Sequence, residues 1–296
     1  MREFIVVTGG CGFVGSNLIE YLLRKTKDKI ISIDDYSAGL KKNQIDDKRV
    51  KYIRGNTENI SKILKEYYSN IKVIFHFGEF SRIYQSFIHM NKCIQSNTIG
   101  SNAVFNFCLK HKIKLIYSAT SASLGNRGED KNLSPYAFTK SKNLELLENL
   151  KKWFKFRFEV IFFYNVYGPK QIKNGDMATV IGIFEDFYLK GKPLPVVKPG
   201  SQSRRFTHIE DTIKVCFEAW KNNKNRYYSI ANKKSYTIIE VAKLFNTNIR
   251  LLPPRKGERY ASALSNMSLN NKVFKRYGNI ELKKYIQNFI KKHPKL

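Results

Sequence analysis

Tyr136 and Lys140 are four residues apart in Tyr136-Ala137-Phe138-Thr139-Lys140, a spacing that on a helix stacks both side chains on one face, one turn apart. A lysine ammonium beside a phenol favours the phenolate and draws a hydroxyl that ordinarily ionises near pH ~10 toward working pH. Tyr136 is then able to take the proton of a substrate alcohol as a general base. Such pairs also arise by chance on helix surfaces, and alone this one establishes little. The segment before it, Tyr117-Ser118-Ala119-Thr120-Ser121-Ala122-Ser123-Leu124-Gly125, places hydroxyls at the end of an apolar run. A hydroxyl there can bond both the phenol and the reacting oxygen.

A second constellation lies at the N-terminus. The apolar run Phe4-Ile5-Val6-Val7 enters Thr8-Gly9-Gly10-Cys11-Gly12-Phe13-Val14-Gly15, with the pattern Gly-x-x-Gly-x-x-Gly. Gly9 permits a tight turn, Gly12 lets backbone approach phosphate oxygens, and Gly15 lets the next helix pack close to the sheet. The N-terminus of that helix offers unpaired N–H groups and a positive dipole end, so the turn suits a pyrophosphate. A lone glycine pattern is weak, and context must support it. The next apolar run, Ile30-Ile31-Ser32-Ile33, ends in Asp34 and Asp35, about 20 residues further on, where an acid meets the adenosine ribose of a dinucleotide. A carboxylate there repels a 2′-phosphate and so selects NAD over NADP. The plain alternative makes Asp34 a strand-end turn residue. With NAD bound, the nicotinamide charge joins Lys140 in favouring the Tyr136 phenolate, and Lys140 is expected to hydrogen-bond the nicotinamide ribose.

Alternating elements carry these residues. Strands are expected at Val50–Ile53, Lys72–Gly78, Leu115–Ser118 and Phe158–Tyr164, with helices over Ile60–Tyr68, Asn97–Lys110 and Tyr136–Lys151. Repeated βα units predict an α/β protein with a doubly wound parallel Rossmann sheet. Beyond Gly168-Pro169 the rhythm becomes irregular, with loops at 191–205 and 253–257. The expected organisation is a cofactor-binding domain over 1–164, with return segments near 206–231, and a smaller, mainly substrate-binding lobe over 165–296.

With 296 residues, 42% of them apolar and 14% aromatic, the chain can build a full core. No apolar stretch reaches the roughly 18 residues of a membrane helix, and the N-terminus does not read as a signal peptide. Cys11, Cys93, Cys108 and Cys216 are scattered, as expected of reduced cytoplasmic thiols rather than disulfides or metal ligands. The net charge of +29 raises nucleic-acid binding as a rival function. Basic runs, however, never exceed two residues, as at Lys151-Lys152 and Lys291-Lys292, which suits a solvated surface that steers an anionic substrate.

Taken together, these motifs resemble those of the extended short-chain dehydrogenase/reductases, specifically the NAD-dependent nucleotide-sugar epimerases and dehydratases, from the first strand to about residue 260. The family's T-G-G-x-G-F-x-G turn is Thr8 to Gly15, and its Y-x-x-x-K is Tyr136 and Lys140. Its S-S-x-x-V-Y-G segment matches Ala119–Gly125 and puts the catalytic hydroxyl on Thr120. Its F-N-V-Y-G-P motif is Tyr164 to Pro169, its R-D-F-x-H-x-x-D element is Arg204 to Asp211, and its R-x-G-E is Arg255 to Glu258. The resemblance implies NAD contacts from Gly9, Gly12, Phe13, Val14, Gly15, Asp34, Asp35, Asn56, Phe77, Gly78 and Asn97, besides Tyr136 and Lys140. It implies substrate contacts from Arg82, Thr120, Asn165, Arg204 and Arg255, with the two last-named arginines gripping the diphosphate through their forked donors. It also implies a homodimer. Several positions depart from the pattern: Asn56 replaces an aspartate, Glu79 and Arg205 replace an alanine and an acid, Leu124 replaces a tyrosine, and the loop up to Tyr136 is short.

The family's 4,6-dehydratases carry Asp-Glu directly after the catalytic hydroxyl, where this chain has Ser121 and Ala122. Neither can serve the elimination, so the expected reaction is epimerisation at C4 of a UDP-hexose or UDP-N-acetylhexosamine through a transient 4-ketone. The stretch Gly175-Asp176-Met177-Ala178 also resembles ADP-heptose epimerases, and a simple reductase is a further alternative. A non-catalytic Rossmann protein binding RNA is the rival of another class, and the intact Thr120, Tyr136 and Lys140 count against it.

Overall fold

A computed structural model describes residues 3–124, 130–222, 227–261 and 277–294. Its centre is a parallel sheet of seven strands: β1 (Phe4–Thr8), β2 (Lys29–Asp34), β3 (Val50–Arg54), β4 (Ile71–His76), β5 (Lys114–Thr120), β6 (Phe158–Phe163) and, after a long excursion, β11 (Tyr227–Ser229). The spatial order is β3-β2-β1-β4-β5-β6-β11. Continuous apolar runs such as Ile5-Val6-Val7 are wholly buried because helices cover both faces. Helices α1 (Phe13–Lys25) and α8 (Ile209–Asn222) pack on one face. On the other lie α2 (Ile60–Ile63), α5 (Ser101–Lys110) and α6 (Pro135–Phe154). The chain reverses direction across the sheet between β1 and β4, which opens a crevice at their carboxyl ends. This is the doubly wound parallel fold expected from the βα rhythm.

Two helices differ from expectation. The helix placed at Ile60–Tyr68 closes as regular α-helix at Ile63, after a 3-10 turn over Thr57–Asn59. The one placed at Asn97–Lys110 begins earlier, as α4 (Met90–Ile94), then passes through a π-helical turn at Gln95–Gly100 into α5. Helix α6 starts where a cap is available: the Ser134 hydroxyl accepts the Ala137 N–H at 3.1 Å and Pro135 occupies the first turn. That cap fixes where Tyr136 and Lys140 emerge.

A separate apolar cluster organises the remainder, with Tyr167, Phe184, Tyr188, Phe206, Phe245 and Ile286 at its centre. It is bounded by α7 (Val180–Leu189), α9 (Ile238–Lys243) and the helix Leu282–Lys292. Three two-stranded pairings stitch this part together: β7 (Val166–Tyr167) with β10 (Thr207–His208), β8 (Leu194–Val197) with β13 (Ile249–Leu252), and β9 (Ser203–Arg205) with β12 (Ser235–Thr237). Among the described residues, no helix is long and apolar enough to cross a membrane.

Candidate active site

A cleft of about 1310 Å³ runs over the carboxyl ends of β1, β2, β4, β5 and β6 and is closed on its far side by α7 and the segments around Arg204 and Arg255. The glycine turn forms one end. Gly9 sits at φ +68°, and a Cβ there would lie 2.8 Å from the Phe77 carbonyl. At Gly15 a Cβ would meet the Gly9 carbonyl oxygen at 2.1 Å, so helix α1 can approach the turn only with glycine there. Asp34 closes the end of β2. Its carboxylate accepts the Cys11 N–H at 2.9 Å and the Tyr36 N–H at 2.8 Å, while burial pushes its pKa up. An ionised carboxylate has about four acceptor sites, so Asp34 can still accept from a ligand hydroxyl. Phe13, Val14, Asp35, Asn56, Phe77 and Gly78 line the same stretch.

Asn97 does not line it. The π turn carries this residue inward, where it is fully buried: its amide oxygen accepts the Phe80 N–H at 2.7 Å and its nitrogen donates to the Phe80 carbonyl and to Thr139. Asn97, expected to contact NAD, is thus set behind the lining residues of the cleft. This side chain staples the loop after β4 to α6.

The middle of the cleft holds Thr120, at the end of β5, and Tyr136, 7% exposed at the start of α6. The Thr120 hydroxyl is near enough to favour the Tyr136 phenolate. The Tyr136 pKa is pushed up to about 12, chiefly by burial and further by the nearby Glu79 carboxylate, with Thr120 and Arg82 opposing. Lys140 is 3% exposed and all its protons are placed. They go to the Glu79 carboxylate, to the Ser118 carbonyl and to the Tyr117 hydroxyl, the last at 3.2 Å. Burial lowers its pKa and Glu79 raises it. The ribose contact expected of Lys140 would thus have to compete with partners inside the protein.

Glu79, noted in the sequence only as a departure, is the hub of this floor. It also accepts from Ser101 at 2.7 Å, Tyr117 at 3.0 Å and Asn143 at 3.4 Å. Behind it the hydrogen bonds run in a fixed sense. Phe77 and Gly78 N–H both donate to the Thr8 hydroxyl, so its own proton goes to His76 Nδ1, at 2.8 Å. His76 Nε2–H then donates to Ser101, 3.0 Å away, and Ser101 to Glu79. Complete burial holds His76 neutral, with its pKa pushed down to about 4.

On the far side, Arg204 and Arg255 both line the cleft. Arg204 is tied inward, donating to the Arg259 carbonyl at 2.7 Å, to the Ser203 carbonyl at 2.9 Å and to the Glu258 carboxylate. Its ion-pair partner is Glu258 rather than Glu210, which pairs with Lys214. The Arg255 guanidinium lies over the Tyr84 ring, 5.3 Å from its centre. Arg82 spans the cleft by donating to the Met177 carbonyl, and Asn165, at φ +33°, donates to the Arg205 carbonyl at 2.9 Å.

Sequence reasoning missed Arg259, which is 4% exposed and lines the cleft. It donates to the Ser121 carbonyl at 2.7 Å and to the Ser121 hydroxyl at 3.3 Å, while its Nε has no partner among the described residues. The only signal was its place next to the R-x-G-E match. Of the short loop between Leu124 and Tyr136, residues 125–129 lie outside the described residues.

A family model described as the NAD dependent epimerase/dehydratase family matches residues 5–231. The curated protein "Uncharacterized UDP-glucose epimerase YtcB" of Bacillus subtilis is 32% identical over 229 residues, 71% of this chain and 70% of that protein. Among solved structures, the UDP-glucose 4-epimerase of Thermotoga maritima superposes with a TM-score of 0.87 at 22% identity, covering 98% of this chain and 99% of that one. The dTDP-glucose 4,6-dehydratase DesIV of Streptomyces venezuelae does so with 0.85 at 19%, covering 98% and 97%. Epimerase and dehydratase share this fold, so the reaction must be argued from the side chains.

Proposed function

This chain belongs to the NAD dependent epimerase/dehydratase family, and on that premise we propose that it epimerises a nucleotide sugar at C4, its substrate being a UDP-hexose or UDP-N-acetylhexosamine. The observation that carries the reading is that Thr120 and Tyr136 line the cleft together, with Ser121 and Ala122 beside them. A 4,6-elimination needs an additional acid and base, and Ser121 and Ala122 supply neither.

The residues present fit NAD. The Gly9–Gly15 turn leaves room for backbone to approach a pyrophosphate, the α1 N-terminus faces it, and Asp34 can accept from a ribose diol. Bound NAD supplies the hydride acceptor for C4 and later the hydride donor. Tyr136 takes the proton of the C4 hydroxyl, and Thr120 holds that oxygen against the phenol. After the ketone turns its other face, Tyr136 returns the proton. Arg204, Arg255 and Arg259 supply the guanidinium groups for the diphosphate, with Arg82 and Asn165 nearer the sugar and the base.

Working boundaries place the NAD-binding domain at 1–164 with return segments near 206–231, and the substrate lobe over the rest of 165–296. The exposed apolar side chains Ile88, Met90, Ile94, Ile99 and Phe138 lie on or beside α3 (Ile83–Ile88), α4, the π turn and α6, and a second copy of the chain is the proposed cover. The test of function is incubation with a panel of UDP-, dTDP- and ADP-linked sugars followed by proton NMR. Interconversion of axial and equatorial H4 signals in a UDP sugar, with no net NADH, supports the reading. A 4-keto-6-deoxy product, or turnover confined to another nucleotide, would overturn it.

A further inference from the structure

We propose that Glu79 is the positioning residue of the Tyr136–Lys140 pair: its carboxylate pins the Lys140 ammonium to the floor of the cleft and offsets its charge as felt by Tyr136. This inference rests on the reading of Tyr136 as the base.

A lysine has three donors and no acceptor. Those of Lys140 go to Glu79, Ser118 and Tyr117, which leaves none for Tyr136. Lys140 can therefore act on the phenol only through its charge, and the charge next to it is opposite. Glu79 is held as firmly as it holds. Ser101 and Asn143 donate to it from the helices beneath, and Tyr117 from β5, so the carboxylate cannot swing away with the lysine. The one-way series Thr8, His76, Ser101, Glu79 joins this anchor to the end of β1, where the glycine turn begins.

Other charged or titratable groups face Tyr136 from each neighbouring element. Arg82 stands at the start of α3, Cys93 on α4 and Arg259 beyond β13. Tyr117 on β5 and His76 on β4 lie beneath, within the network already described. Arg82 favours the phenolate, whereas Glu79 opposes it. With the ammonium compensated, the base stays a neutral phenol until further positive charge enters the cleft.

The experiment follows Tyr136 directly, by NMR titration of protein carrying ¹³C at the tyrosine ring Cζ, with its resonance identified from the Tyr136→Phe variant. Removing one unit charge at this range and leaving an amide of the same shape, as in Glu79→Gln, should lower the Tyr136 midpoint by about one pH unit or more. Lys140→Met should raise it. The double variant should titrate within about half a unit of wild type, because the two charges are removed together. The double variant also guards against misfolding, since it leaves no uncompensated buried charge. A Glu79→Gln midpoint equal to wild type, with only a lower melting temperature, overturns the proposal. So does a double variant displaced by more than about one unit. These readings do not depend on turnover. Should Tyr136→Phe prove fully active, the base assignment fails while the electrostatic result for Glu79 still stands.

Discussion

The two walls of the cleft are built on different principles. The NAD side is made largely from backbone: a glycine turn, a helix N-terminus and one strand-end carboxylate, the turn resting on the Phe77–Gly78 backbone. The substrate side is made from long side chains whose partners lie far away in sequence. Arg204 meets Glu258, Arg259 reaches Ser121, and Arg82 reaches Met177. The first wall is rigid and generic, because a pyrophosphate looks the same in every dinucleotide. The second can diverge one residue at a time, and it is the wall to which the proposed function assigns the substrate.

The largest test of this division falls at the seam. Tyr136→Phe should reduce turnover by roughly 10²–10⁴-fold while leaving NAD affinity nearly unchanged, because it deletes a proton acceptor and keeps the ring. Calorimetric NAD binding beside steady-state rates checks both halves. Near wild-type turnover would end the assignment.

The NAD wall should show its dependence on buried neutral groups as pH falls. His76 is held near 4 against an ordinary 6.5. Its stabilising contribution is therefore complete above pH 6.5 and is lost as pH falls toward 4, about 3 kcal/mol in all. Urea unfolding at several pH values should show this slope, and His76→Gln should flatten it. An unchanged slope in the variant would mean that other groups carry the acid sensitivity.

On the substrate wall, Arg204→Ala removes charge-assisted bonds of roughly 1.5–3 kcal/mol and should raise KM by about tenfold to a hundredfold. Glu258 then loses its partner, so the melting temperature should fall as well. A loss of stability with KM unchanged would make Arg204 purely structural. The smallest effect is expected at Asp34. Asp34→Ala should weaken NAD by about tenfold and narrow its preference over NADP, since a bond to the ribose and a repulsive charge go together. Tighter binding of NADP than NAD by the wild-type protein would show that Asp34 does not meet the ribose.

How much of this could be read in advance follows the same division. The glycine turn, Asp34 and the Tyr136–Lys140 spacing are local patterns, and each lines the cleft. The seven-stranded sheet was legible because its buried strands are uninterrupted apolar runs. Glu79 was visible only as an oddity, since its partner Lys140 lies 61 positions away. Arg259 lies 138 positions from Ser121. The burial of Asn97 was not legible, because a π turn adds a residue to the helical circuit and carries the side chain into the core. Spacing rules assume a regular helix, and there the helix is not regular.

The late return of the chain to its sheet bears on how the protein is made. Strand β11 pairs with β6 at Tyr227↔Val160, yet the chain from 164 to 226, most of it belonging to the other lobe, is synthesised between them. A ribosome therefore delivers β6 as an open edge and leaves it so until α8 and β11 follow. During that interval the nascent sheet is a template for any stray strand. A fragment ending near residue 164 would keep that vulnerability permanently, so the nucleotide-binding half is not a separable cassette. Its last strand arrives only after Arg204 and its neighbours have been made.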